Sequence, residues 1–72
     1  MKFDIVFADP PFNRELAKKT LRTVSNYDIL NRSGFLVIEH HVDEHLPGFV
    51  GNITLFKQKT YKNISITVFL KR

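Results

Sequence analysis

The sequence has no cysteine, only three glycines and no long apolar run. The absence of cysteine excludes disulfides and thiolate metal or redox sites. No run approaches the roughly 20 apolar residues of a membrane span, and the N-terminus does not resemble a signal peptide. We therefore expect a cytoplasmic protein with no membrane partner. None of the glycines forms Gly-x-Gly after a predicted strand, so a Gly-rich nucleotide-binding turn is absent.

What the chain does contain is typical of one small folded unit. Its 72 residues allow a single domain, and a hydrophobic fraction of 43% argues against disorder. The formal net charge is +4 at pH 7, which permits a polyanionic partner.

The first half of the sequence predicts a strand followed by a helix. Lys2 to Ala8 is an apolar and β-branched run, and the prolines of Asp9-Pro10-Pro11 prevent its continuation. Asn13 is a suitable N-cap, and apolar residues then recur at helical spacing. We predict an amphipathic helix from Asn13 to Ser25.

The second half predicts strands only. Gly34 to Glu39 is a continuous apolar run, typical of a parallel strand buried on both faces, and His40 to Gly51 reads as mostly loop. Asn52 to Thr60 and the alternating residues 64–71 predict an antiparallel hairpin. The fold class is therefore α/β, with β-α-β followed by a β-hairpin.

The segment with the most distinctive chemistry is Asp9-Pro10-Pro11-Phe12, at the carboxyl end of the first strand, where α/β sheets bind ligands. The Asp9 carboxylate and the Pro10 carbonyl can accept hydrogen bonds from an exocyclic amino group. Phe12 offers a ring on which a flipped base can stack. The alternative, of about equal weight from composition, is a strand-terminating turn with a core phenylalanine.

Residues 3–12 (FDIVFADPPF) resemble the (Asp/Asn)-Pro-Pro-(Phe/Tyr) motif of amino-group methyltransferases that use S-adenosyl-L-methionine (SAM). Residues 30–40 (LNRSGFLVIEH), Leu46-Pro47 and residues 59–61 (KTY) are similar to the RsmD-like branch, which methylates guanine N2 in 16S ribosomal RNA. The resemblance covers essentially all 72 residues. It implies a single partial domain, residues 1–72, that forms the C-terminal portion of a Rossmann-like SAM-dependent methyltransferase fold.

The resemblance also implies roles for individual residues. The catalytic motif would be Asp9, Pro10, Pro11 and Phe12, with Asp9 also facing the cofactor, and the substrate-binding residues would include Phe12, Asn13 and Arg14. His40 is a further substrate-binding candidate, because it ends the second predicted parallel strand, next to Asp9. Two features depart from the family: its Gly-rich SAM-binding turn is absent, and Tyr61-Lys62 stands where Tyr-Gly is usual. We therefore expect the chain alone to be inactive.

Several alternatives remain open from sequence. The same motif serves adenine-N6 methyltransferases of DNA or RNA, and a non-catalytic fragment that binds RNA or self-associates is also consistent. The expected partners are ribosomal RNA and either an N-terminal half or a second copy bound through the Lys2 to Ala8 strand. A metal site is not expected, because His41 and His45 lie in a segment without helical periodicity. Two basic groups are candidates for phosphate contacts: Arg14, Lys18, Lys19 and Arg22 on the helix, and Lys57, Lys59, Lys62, Lys71 and Arg72 on the hairpin.

Overall fold

A computed structural model describes residues 2–11 and 16–72. The elements in chain order are β1 (Phe3–Ala8), α1 (Leu16–Asn26), β2 (Leu30–His41), β3 (Phe49–Val50), β4 (Ile53–Tyr61) and β5 (Ile64–Lys71). The predicted order of strand, helix, strand and hairpin is confirmed, and the structure adds the two-residue strand β3.

The strands form a single five-stranded sheet in the order β1-β2-β5-β4-β3. β1 pairs with β2 in parallel, and β5 is antiparallel to both of its neighbours, β2 and β4. β4 therefore runs in the same direction as β1 and β2. As a result, the carboxyl ends of these three strands meet at one edge of the sheet, which we call the carboxyl edge.

The core lies between α1 and one face of the sheet. Helical spacing brings Ala17, Leu21 and Val24 onto the buried side of α1. The strands contribute alternate residues to this core, because successive side chains of a strand point to opposite faces. The buried strand residues on this face are Leu36, Ile38 and His40 of β2 and Ser65, Thr67 and Phe69 of β5.

The other face of the sheet is uncovered by the described residues. Phe3, Ile5 and Phe7 of β1 are 48%, 67% and 62% exposed, and Ile66 of β5 is also exposed. The prediction that the second strand is buried on both faces is therefore wrong for this chain. The reason is that α1, the one helix among the described residues, packs against one side only, so Phe35 and Val37 remain half-buried.

The second strand also begins earlier than predicted. Leu30 pairs with Phe3, and the next paired residues are Phe35 and Ile5, so residues 31–34 form an irregular insertion in β2. Ser33 has a positive φ of 66° within this insertion. Residues 32–34 were predicted to be a turn before the strand. In the structure they form a bulge inside β2.

Across the residues that the structure describes, no helix has both the length and the apolar character needed to span a membrane.

Candidate functional site

Asp9, Pro10 and Pro11 directly follow β1 at the carboxyl edge. Both prolines lack a backbone N–H and have a fixed φ, so the strand ends here and the loop has little freedom. The Asp9 side chain is exposed, Pro10 is half-buried and Pro11 is exposed. The loop therefore presents the exposed Asp9 from a position fixed by the end of β1.

A cleft of about 300 Å³ lies between this loop and α1. Pro10 and Pro11 form one side, and the other is a stripe of α1 consisting of Leu16, Lys19, Thr20, Thr23 and Val24. The lining is mainly apolar, with hydroxyl groups and one ammonium at its rim. Such a cleft is suited to a flat ring with few polar atoms.

Three of the predicted site residues, Phe12, Asn13 and Arg14, lie outside the described residues. Their assignment to the substrate site stays a prediction from sequence. The same holds for Asn13 as the N-cap of α1.

His40 lies on the core face of β2 and is only 2% exposed. Its Nδ1 lies 3.0 Å from the His41 carbonyl oxygen, which can only accept a hydrogen bond, so Nδ1 carries the proton. Its Nε2 lies 2.8 Å from the Thr67 hydroxyl, and the Gln58 amide donates to the same hydroxyl over 2.7 Å. The Thr67 hydroxyl thus links the Gln58 amide to the buried His40 ring.

His40 also lines a second cavity, of about 270 Å³, between the hairpin and the β2–β3 loop. The other polar residues of its lining are Glu44, His45, Gln58, Thr60 and Ser65. His40 is not among the residues that line the Pro10–Pro11 cleft. Its role as a substrate contact stays a prediction.

Sequence reasoning did not identify Glu44 as a structural residue of this region. Its carboxylate oxygen Oε2 accepts a hydrogen bond of 3.2 Å from the backbone N–H of Lys18 in the first turn of α1. A carboxylate is stabilising at a helix N-terminus, where backbone N–H groups lack partners. The two residues are 26 positions apart, so no local pattern could have revealed this contact.

The histidines near the end of β2 show no metal-site arrangement. Across residues 2–11 and 16–72, no group of three or more histidine and carboxylate side chains is placed to hold a metal ion.

Curated relatives match almost the whole chain. An rRNA methyltransferase candidate of Bacillus subtilis (strain 168), YlbH, is 31% identical over 93% of this chain and 36% of its own length. The ribosomal RNA small subunit methyltransferase D of Buchnera aphidicola subsp. Acyrthosiphon pisum (strain APS) is 29% identical over 94% of this chain and 35% of its own length. The chain thus spans about a third of the length of these relatives.

Solved structures confirm the fold. A methylase candidate of Haemophilus influenzae, HI0767, has a TM-score of 0.85 and 30% identity over 96% of this chain and 42% of its own. A conserved hypothetical protein of Streptococcus pyogenes has a TM-score of 0.86 and 27% identity over 99% of this chain and 44% of its own. The α/β architecture is therefore that of part of a methyltransferase fold.

The family model described as "Conserved hypothetical protein 95" matches residues 1–70. With that match to nearly the whole chain, the chain belongs to this family, and it corresponds to about a third of the RsmD-like methyltransferases that it matches.

Proposed function

We propose that this chain forms the amine-binding part of a SAM-dependent methyltransferase that acts on N2 of a guanine in 16S rRNA. The observation that carries the proposal is the exposed Asp9-Pro10-Pro11 loop beside an apolar cleft at the carboxyl edge. The ribosomal RNA substrate is suggested by the names of the relatives, one of which is a small-subunit methyltransferase.

The proposed chemistry of the loop is positioning. The Asp9 carboxylate and the Pro10 carbonyl each accept one hydrogen bond from the two N–H groups of the exocyclic amine. This fixes the orientation of the amine nitrogen, and orientation alone supplies much of the acceleration of such reactions. A bound SAM would supply the methyl group, with its S–C bond breaking and the electron pair of that bond staying on sulfur as the N–C bond forms. The methylated amine would then give up one proton, which the exposed Asp9 carboxylate can pass to solvent. Phe12, in this proposal, stacks on the flipped base.

SAM, when bound, supplies an activated methyl group. Among the described residues, the exposed carboxylate of Asp9 is the group that fits this cofactor, because its charge can pair with an ammonium or accept from a hydroxyl. The 72 residues contain no Gly-x-Gly turn, which is the usual contact to a nucleotide cofactor. The fit is partial, and we propose that the other contacts come from a segment outside this sequence.

A chimera tests the proposal. This chain would replace the matched third of YlbH, and the product would be incubated with labelled SAM and unmodified small-subunit RNA. We expect label in the RNA as N2-methylguanine, identified by mass spectrometry of the nucleosides, and no incorporation by the 72-residue chain alone. Asp9→Ala in the chimera should lower turnover at least roughly a hundredfold, because the amine loses its orientation.

Asp43→Ala is the matched control, since Asp43 is an exposed carboxylate of the β2–β3 loop, which follows β2 at the same edge. Its turnover should equal that of the unsubstituted chimera. N6-methyladenine as the product would favour the adenine-specific alternative. Equal turnover of the Asp9→Ala and unsubstituted chimeras would show that the loop does not orient the amine.

A further inference from the structure

The net positive charge of the chain comes from its last 22 residues, which contain the hairpin. Residues 1–50 contain six lysines and arginines against seven aspartates and glutamates. Residues 51–72 contain five lysines and arginines and no acidic residue at all. The hairpin is therefore the part of the molecule that attracts a polyanion.

Only some of these cations are available to a partner. The Lys71 ammonium bonds to Asp28 and to the Leu30 carbonyl, and the Arg72 Nε donates to the Thr54 hydroxyl. Lys57, Lys59 and Lys62 are exposed, and within the described part of the chain they form no ion pair.

Lys57 and Lys59 lie on β4, whose outer side is open, and Lys62 lies in the turn that follows it. β3 pairs only with Ile53 and Thr54 of β4, so among the described residues positions 56–61 have no strand beyond them. All residues from 55 to 61 are exposed. A partner can therefore approach this segment from the outer side without displacing any part of the described chain.

Alternation along β4 places the side chains of Lys57, Lys59 and Tyr61 on one face of the sheet. Lys57, Lys59 and Tyr61 pair with Val68, Ile66 and Ile64 of β5, which lie on the sheet face opposite α1. Alternate residues of a strand are about 6.6 Å apart on the same side. Two ammonium groups and an aromatic ring thus follow one another along a line that ends at the hairpin turn.

The turn itself combines a cation with an exposed ring. Tyr61 is 70% exposed, and the Lys62 ammonium lies 5.4 Å from the centre of its ring. Lys62 has a positive φ of 56°, which directs the chain back into β5. Exposed aromatic rings flanked by cations are typical of sites on which unpaired bases stack.

The turn lies at the same edge of the sheet as the proposed amine site. β4 runs in the same direction as β1, so Tyr61 and Asp9 both lie at the carboxyl edge. A backbone hydrogen bond of 2.9 Å from Val42 N–H to the Asn63 carbonyl holds the turn against the end of β2. A nucleic acid strand that contacts both must therefore cross this edge, from the α1 face of the sheet to the opposite face.

We propose that the β4–β5 hairpin binds a single-stranded RNA segment beside the target nucleotide. Lys57, Lys59 and Lys62 contact phosphates, and an unpaired base stacks on Tyr61. The choice of RNA as the partner rests on the proposed function.

The test measures RNA binding by the 72-residue chain in the absence of SAM. The probe is a fluorescein-labelled single-stranded RNA of mixed sequence, followed by anisotropy from about 50 to 200 mM salt. The triple variant Lys57→Gln, Lys59→Gln and Lys62→Gln should bind at least about tenfold more weakly at low salt, with a slope of log K against log salt reduced by about 2.

The matched control lowers the net charge by the same three units at exposed positions outside the cleft and the hairpin. Its substitutions are Asn26→Asp at the end of α1, and Arg32→Gln and Ser33→Asp in the β2 insertion. This control should retain most of the affinity. An equal loss in both triple variants would show that binding follows net charge, and would overturn the proposal. Absence of RNA binding by the unsubstituted chain at low salt would overturn it as well.

Substitutions of Tyr61 distinguish the contribution of base stacking from that of charge. Tyr61→Ala should bind roughly fivefold to a hundredfold more weakly with an unchanged salt slope, whereas Tyr61→Phe should keep the affinity. Equal affinity of Tyr61→Ala and the unsubstituted chain would remove the stacked base from the proposal. Because the assay uses no cofactor and detects no methyl transfer, its result is independent of the chimera experiment.

Discussion

Gly34 occupies a position in β2 at which a side chain does not fit. A Cβ atom built there would lie 2.8 Å from the Asn31 carbonyl oxygen and 3.1 Å from that of Asp4. Both neighbours are backbone atoms of the β1–β2 contact, so they cannot move without disturbing the pairing. We expect Gly34→Ala to lower the free energy of unfolding by about 1–3 kcal/mol, measured by urea denaturation.

Gly48→Ala is the control for this substitution. A Cβ at Gly48 would have no atom within 4 Å. Its free energy of unfolding should equal that of the unsubstituted chain or exceed it by up to about 1 kcal/mol, because alanine restricts the unfolded chain. Similar losses in both variants would mean that the close approach of backbone at Gly34 does not limit stability.

At the scale of elements, one carboxylate connects the two ends of the chain. Asp28, in the turn between α1 and β2, bonds to the Lys2 ammonium over 2.7 Å and also to the Lys71 ammonium of β5. The hydrogen bond from Lys2 and then that from Lys71 lower the pKa of Asp28 from 3.8 to about 2. The folded state thus holds the charged form more tightly than the unfolded state does.

The consequence for stability follows from the direction of that shift. A carboxyl with a lowered folded-state pKa stabilises the fold above its unfolded pKa, and the contribution is lost as the pH falls through the folded value. Asp28→Asn should therefore have a lower Tm than the unsubstituted chain above about pH 4, and the two should converge near pH 2. Asparagine tolerates the positive φ of 51° at this position, so the substitution tests the charge.

Thermal unfolding followed by circular dichroism between pH 2 and pH 6 would measure this difference, with Asp43→Asn as the variant that removes an exposed charge elsewhere. We expect the Asp43→Asn difference to be smaller at pH 6, because the Asp43 side chain is 88% exposed. A constant gap between Asp28→Asn and the unsubstituted chain at every pH would contradict the ionic role.

The elements that sequence predicted well are those with local signals. The stop at Asp9-Pro10-Pro11 and the spacing of Ala17, Leu21 and Val24 depend on neighbouring residues only, and both were placed correctly. The length of β2 was not predicted correctly, because the insertion at residues 31–34 depends on pairing with β1 and not on neighbouring residues. Sequence therefore located the loop of the candidate site but not the full strand beside it.

The contacts of His40 could not be predicted from sequence either, because they depend on residues far away in the chain. The position of His40 near the end of β2 follows from the local apolar run. Its partner Thr67 is 27 residues away and reaches it through antiparallel pairing of β2 with β5. The alternation of residue types in β5 was evident from sequence. That pattern does not indicate that the face with Ser65, Thr67 and Phe69 is the buried one. That choice depends on where α1 packs.

At the scale of the whole molecule, β1 is an edge strand with an apolar face. It pairs with β2 alone among the described residues, and its outward residues Phe3, Ile5 and Phe7 are exposed. Edge strands of this kind add further strands readily, since their N–H and C=O groups lack partners. In a longer protein of this family, the edge could take a strand from outside these 72 residues. For this chain alone, we expect a second copy to occupy it.

Sedimentation measures this self-association directly. At about a hundred micromolar, the chain should sediment as a dimer or larger species, because exposed apolar edges associate in this range. Ile5→Lys should shift it toward the 8.4 kDa monomer, since a lysine on an edge strand opposes pairing. Phe49→Lys is the matched control, because Phe49 is also 67% exposed but lies on β3 at the opposite edge. A monomeric unsubstituted chain, or an equal shift in both variants, would show that the β1 edge does not mediate association.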